Sequence, residues 1–263
     1  MAIWAVPQAQ AGGSLKPIDR GADSSSEAFA VVELFTAQGC GACPAADRLL
    51  GELAAEARKT GRRLFALAYH VDYFDARVPD PFSNPAFGDR QELYSEILGG
   101  DIYTPQMFVN GQAGFIGSER VTAVRTIATA LTRSSSDEVK VKLEVDQSKA
   151  RSGVNGLMGP VTVRSQVAGA PKGAELHVAI VEREASTAGH GRTGLRHENV
   201  VRAFKTLSLE KRQQHNLEIR LPAGMDPANT SVIAFVQDPK DLTISGAAGY
   251  DLKTTPVNKV ASR

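Results

Sequence analysis

Residues 28–70 read AFAVVELFTAQGCGACPAADRLLGELAAEARKTGRRLFALAYH, and this stretch sets the expectation for the fold. AFAVVELF is a continuous apolar run, as a strand buried on both faces requires. The turn TAQGCGAC follows. From Pro44 to Thr60 the residues Leu49, Leu50, Leu53, Ala54 and Ala57 recur at helical spacing. Pro44 stands where a first-turn proline is tolerated, and Lys59, Arg62 and Arg63 gather where cations suit the helix dipole. LFALAYH at 64–70 reads as a second buried strand. Strand, helix, strand is a parallel unit with a right-handed crossover.

Downstream, residues 72–84 form a Pro- and Asp-rich loop ending in Asn84-Pro85, an N-cap followed by a first-turn proline. The helix it opens is expected to stop at Gly99-Gly100. Residues 103–117 read as two short strands about Asn110-Gly111. Ser118 is the expected cap of a last helix carrying Val121, Val124, Ala128 and Leu131. After a polar linker at 132–138 the pattern changes to strands: VKVKLEV, GPVTVRSQV, AELHVAIVE, NLEIRLP and SVIAFVQD. Their spacing and turns suit an antiparallel sandwich.

Composition removes several classes of function. With 263 residues, 42% hydrophobic and 22% charged, the chain is neither a fibre nor a disordered tail. A formal net charge of +1 supplies no global field for nucleic acid, and no apolar run reaches the length of a transmembrane segment. At the N-terminus, Ala9-Gln10-Ala11 fits a signal-peptidase pattern. Residues 1–27 are therefore expected to be a signal remnant and lead-in, and the location periplasmic or secreted.

The two cysteines, Cys40 and Cys43, are three apart at a strand-to-helix turn. A loop so short does little to constrain an unfolded chain, so the pair calls for another explanation. C-x-x-C beside a strand-helix-strand unit is a redox signal. The spacing brings the sulfurs within bonding reach, and the free amides at a helix start stabilise a thiolate. Cys40, at the outer end, is the expected nucleophile, and Cys43, one turn inward, the resolving thiol. Thr104-Pro105 falls just before a strand that starts at the same sheet edge, where it could dock a substrate backbone. On sequence alone its peptide bond is expected to be trans.

The chain order together with CGAC and YTPQMFVNG resembles the thioredoxin superfamily. More narrowly, VVELFTAQGCGACPAAD, AYHVDYFD, YTPQMFVNG and HENVVRAF are similar to a bacterial family of secreted thioredoxin-like proteins known only as a domain of unknown function. The resemblance spans roughly residues 28–250. It departs from thioredoxin proper in lacking a Trp before the first Cys and a Pro between the two. It implies an α/β fold: a thioredoxin-like domain at 28–133, then a C-terminal antiparallel β-sandwich at 138–263. It also implies a cis bond at Thr104-Pro105. Glu33, alone in an apolar strand, is given by the same resemblance the role of proton acceptor for Cys43.

The function expected is a thiol–disulfide oxidoreductase acting on a protein thiol or disulfide, with no cofactor and no resident metal. The sandwich would serve as a partner-binding surface. His70, Asp72 and Tyr73 follow the second strand and should overlook the motif as modulators. Two alternatives stand beside this reading. One is a copper or zinc handling protein using Cys40, Cys43 and His70; the other is a non-catalytic binding module. Asp75 and Asp80 are expected only to shape the mouth of the site. Gly189–Gly194 reads as a flexible loop, and His197-Glu198-Asn199 carries no mechanism on sequence grounds.

Overall fold

In the computed structural model, residues 28–112, 114–132, 139–153, 156–187, 195–210, 212–222 and 225–253 are described. The lead-in at 1–27, the 133–138 segment of the linker and the 189–194 loop lie outside them. Strand β1 (Phe29–Thr36) is buried along its whole length. Helix α1 (Cys43–Lys59) follows, with proline in its first turn and Leu49, Leu50, Leu53, Ala54 and Ala57 all buried. Strand β2 (Arg63–His70) runs parallel to β1, pairing Thr36 with His70. Asn84 caps helix α2 (Pro85–Leu98) by accepting from the Ala86 amide, and the helix ends at Gly99 with φ of 74°. Strand β3 (Gln106–Val109) lies antiparallel to β1 on its other side, and β4 (Phe115–Ile116) completes that edge.

Helix α3 (Arg120–Ala130) corrects two expectations. Its N-cap is Glu119 rather than Ser118, and no side chain makes a capping hydrogen bond. Val121 is 81% exposed, and Ala123 and Ile127 carry the buried face instead. The buried face is centred on Ala123 and Ile127, and Val121, in the first turn, falls at its edge.

The C-terminal strands are β5 (Lys140–Asp146), β6 (Arg151–Gly153), β7 (Gly156–Met158), β8 (Pro160–Ala168), β9 (Glu175–Thr187), β10 (Leu195–Ser208), β11 (Gln214–Arg220), β12 (Thr230–Gln237) and β13 (Ile244–Asp251). They overturn the expected fold class. The chain does not form a helix-flanked α/β thioredoxin-like domain followed by a sandwich of its own. It is mostly β, with three α-helices among the described residues and one mixed sheet of eight strands, ordered β13-β12-β9-β10-β2-β1-β3-β4. Strand β10 lies parallel to β2, with Val200 opposite Ala68, so the sheet continues without a break from one half of the chain into the other. A smaller sheet, β11-β8-β5, covers part of it. There Val141, Leu143, Val161 and Val163 pack on Val178, Ile180, Val232 and Ala234.

The physical reason for the continuity is a seam of contacts that two separate domains would lack. Arg63 donates to the Ala247 carbonyl at 2.7 Å, and the Ile244 amide donates to Asn110 at 3.2 Å. At Gly111, φ is +73°, and a Cβ would stand 1.6 Å from the Leu242 carbonyl oxygen. Glycine there is what lets the β3 turn meet the C-terminal strands.

Candidate functional site

Cys40 and Cys43 are joined as a disulfide, their Cα atoms 5.4 Å apart. Cys43 opens α1 and is fully buried, whereas Cys40 precedes the helix and keeps 5% of its surface. The Cys40 amide donates to Ala37 and the Cys43 amide to Cys40, which tightens the turn. Loop residues Phe74 and Val78 close over Gly39, where a Cβ would come within 3.1 and 3.3 Å of theirs. Cys40 is thus largely covered, though it remains the more accessible of the two.

Thr104-Pro105 is cis. The Thr104 carbonyl oxygen lies 3.7 Å from Cys40 Sγ, which puts this loop directly against the disulfide. Pro105, Leu34 and Ala46 surround Gly117, whose amide donates to the Pro105 carbonyl. Two glutamines that sequence reasoning passed over hold the loop in place. Buried Gln91 donates to the Tyr103 carbonyl at 2.8 Å and to Gln106 at 2.7 Å, and Gln106 donates to Asp101. Tyr73, half exposed, donates its hydroxyl to Gln91 at 3.1 Å. Asp72 sits against the first turn of α2, beside Gly88.

Glu33 is fully buried, on the face of β1 that also presents Phe35, opposite the face that packs on α1. Arg90 donates to Glu33 at 2.8 Å and Tyr94 donates to its other oxygen. Arg90 also donates to Gln237 of β12 at 2.9 Å, and its guanidinium lies over the rings of Tyr69, Tyr94, Phe204 and Phe235. No hydrogen bond joins Glu33 to either cysteine among the described residues. Burial would strip Arg90 of its proton, but the Glu33 charge overrides that and keeps it cationic. Burial, reinforced by the Glu33 charge, drives the Tyr69 and Tyr94 hydroxyls well above their ordinary range. Burial and repulsion by Arg90 hold His177 well below its ordinary value, so that ring is neutral.

His70, the last residue of β2, is buried. Its Nδ1 lies 2.6 Å from Asp80, which also accepts from the Gln38 and Phe82 amides. Asp80 is therefore more than a loop residue: it ties β2 to the turn that carries Cys40. Burial would raise its pKa, but the His70 hydrogen bond and charge, with the two amides, bring it below the usual carboxylate value. A depressed carboxyl contributes stability above its unfolded pKa of about 3.9 and loses it as pH falls through the folded value. Asp80→Asn is thus expected to destabilise the protein by about 1–3 kcal/mol at pH 7 and by clearly less at pH 3. Urea midpoints at the two pH values check this.

Among the described residues no group of three or more His, Cys, Asp or Glu side chains is placed to hold a metal ion, the set Cys40, Cys43 and His70 included. No described helix is long and apolar enough to cross a membrane.

The family described as "Protein of unknown function (DUF1223)" matches residues 31–237. The chain belongs to this family. The match runs through the CGAC turn, the cis-proline loop and the strands of the C-terminal half, so the DUF1223 unit takes in both sides of the continuous sheet. No curated protein matches. Two solved structures are similar. One is protein AGR_C_4864 from Agrobacterium tumefaciens, with a TM-score of 0.59 and 23% identity over 87% of this chain and 97% of that one. The other is HBP35 of Porphyromonas gingivalis, with a TM-score of 0.60 and 18% identity over 92% of this chain and 81% of that one. At such identities the likeness is one of fold.

Proposed function

We propose that this DUF1223 protein is a thiol–disulfide oxidoreductase whose working group is the Cys40–Cys43 pair. The observation that carries the reading is the disulfide at the start of α1 with the Thr104 carbonyl 3.7 Å from Cys40 Sγ. That carbonyl and the adjoining cis-proline loop form a backbone edge along which an extended substrate chain can lie, its sulfur in line with Cys40. In exchange, the Cys40 thiolate attacks a substrate disulfide, whose S–S bond breaks: one substrate sulfur leaves as a thiolate and the other forms a mixed disulfide with Cys40. Cys43 then attacks Cys40, and the substrate leaves as a thiolate. The first-turn amides and the dipole of α1 stabilise the Cys40 thiolate. The partner is a protein thiol or disulfide. The kinship with the thioredoxin superfamily that we propose rests on this site, the C-x-x-C turn beside a cis proline, and not on the architecture. A periplasmic or secreted setting is supported by Ala9-Gln10-Ala11, which fits a signal-peptidase pattern.

The test is turnover of a fluorogenic disulfide peptide with glutathione as the second substrate. The protein is expected to accelerate exchange at least about tenfold over the uncatalysed rate, a gain well within what a lowered thiol pKa and orientation supply. A rate equal to that of buffer contradicts the reading.

A further inference from the structure

Exchange needs an incoming sulfur in line with the disulfide, yet Cys40, its outer member, is buried. The cover is the segment 73–79, which leaves the end of β2 and crosses the CGAC turn. Phe74 and Val78 crowd Gly39, the residue before Cys40, and Phe74 packs on the apolar cluster that contains both cysteines. Tyr73 and Val78 are 48% and 37% exposed, so the segment is a strap on the surface and not part of the core.

The strap is bonded within itself. The Arg77 and Val78 amides donate to the Phe74 carbonyl at 2.9 and 3.1 Å, and the Ser83 hydroxyl joins Asp75 to the Asp80 carbonyl. Its base is anchored at Asp80 by Gln38, Phe82 and His70, and Gln38 also donates to the Pro79 carbonyl at 3.4 Å. At its other end Tyr73 donates its hydroxyl to Gln91 Oε1 at 3.1 Å. Gln91 gives its amide hydrogens to the Tyr103 carbonyl and to Gln106, which turns its oxygen to Tyr73. One buried side chain thus holds both the strap and the cis-proline loop, the two segments that touch the CGAC turn. Closure has a cost. Gln38 Oε1, Asp75 Oδ1 and Thr104 Oγ1 are buried around it without hydrogen-bond partners, and opening to water relieves such groups.

Resting on the exchange chemistry proposed above, we infer that residues 73–79 are a lid shut over Cys40, with Tyr73 on Gln91 as its clasp, and that a substrate reaches the sulfur only when the clasp parts. The lid turns about its anchored base at Asp80. Tyr73 and Gln91 are positioning residues, since neither touches a reacting sulfur.

The experiment is reduction of the oxidised full chain by dithiothreitol, followed by quenched alkylation and mass measurement. The reagent's thiolate attacks Cys40, the bond to Cys43 breaks, and Cys43 leaves as a thiolate; the reagent's second sulfur then closes its own ring and releases Cys40. Tyr73→Phe keeps the ring and loses the hydroxyl. It is expected to speed reduction about three- to tenfold, the weight of one hydrogen bond on the opening equilibrium. Val78→Ala, which thins the cover, should act in the same direction. In both variants and the wild type the rate should change little between 0 and about 1 M urea, because local opening exposes little surface. A rate unchanged in Tyr73→Phe, or one that climbs with urea as steeply as global unfolding does, overturns the lid. Turnover of the disulfide peptide by the same proteins separates the two proposals. Turnover with equal reduction rates removes the lid and leaves the exchange reading standing. No turnover by any of them removes the exchange reading and, with it, the lid's part in exchange.

Discussion

A Cys43→Ala variant should accumulate as a mixed disulfide through Cys40, while Cys40→Ala should lose exchange activity by about three orders of magnitude, as removal of one member of a concerted pair does. The asymmetry follows from position. Cys40 lies just outside α1, where the first-turn amides and the dipole favour its anion. A stabilisation of about 1.4 kcal/mol lowers a thiol pKa by about one unit, and dipoles in partly buried settings reach about 2 kcal/mol. Cys43 is fully buried among apolar neighbours, which favours its neutral thiol until the resolving step begins. Alkylation rate against pH for each single-cysteine variant reads the difference directly. Faster labelling of Cys43 at neutral pH would reverse the assignment.

Arg90→Met is expected to cost about 3–5 kcal/mol of stability, because it leaves the buried Glu33 carboxylate without its cation. The loss should reach both halves of the chain. Arg90 of α2 binds Glu33 of β1 and Gln237 of β12, and packs on Phe204 of β10. Adding Glu33→Leu to Arg90→Met removes the stranded charge and should recover most of the loss, since an apolar pair of similar volume often serves as well as a buried ion pair. Equilibrium urea unfolding of the single and double variants measures this. A single-variant cost below about 1 kcal/mol, the range of an exposed pair, contradicts the account.

These two sites also mark where the sequence was legible and where it was not. The first two helices were readable from different signals: in α1, Leu49, Leu50, Leu53, Ala54 and Ala57 lie on the buried face at helical spacing, and Asn84 caps α2 as its type suggests. The continuous sheet was not readable, because two of its strands, β10 and β13, carry weak signals. Strand β10, LRHENVVRAFKTLS, carries His, Glu and Asn in its N-terminal part, and Asn199 has φ of 55°. Strand β13, ISGAAGYD, is rich in Gly and Ala, which strands disfavour. With β10 unread, the two halves looked separable, and His197 had no place beside His70, whose ring it meets edge to face. Asp47, 3.9 Å from His197, did leave a trace, since it falls in the buried stripe with Cys43, Leu50 and Ala54. Arg90 left a similar one, at helical spacing between Phe87 and Tyr94. In each case a charge on a buried stripe implied a buried partner, but the partner came from an element distant in sequence.

The central claim, that Cys40–Cys43 is a working disulfide and not a structural staple, is tested most directly by its equilibrium with glutathione, followed by alkylation and mass measurement on the whole chain. The account predicts a single two-electron transition between about −270 and −120 mV, the span of exchanging C-x-x-C proteins. A pair that stays oxidised below about −300 mV, as structural disulfides do, contradicts it.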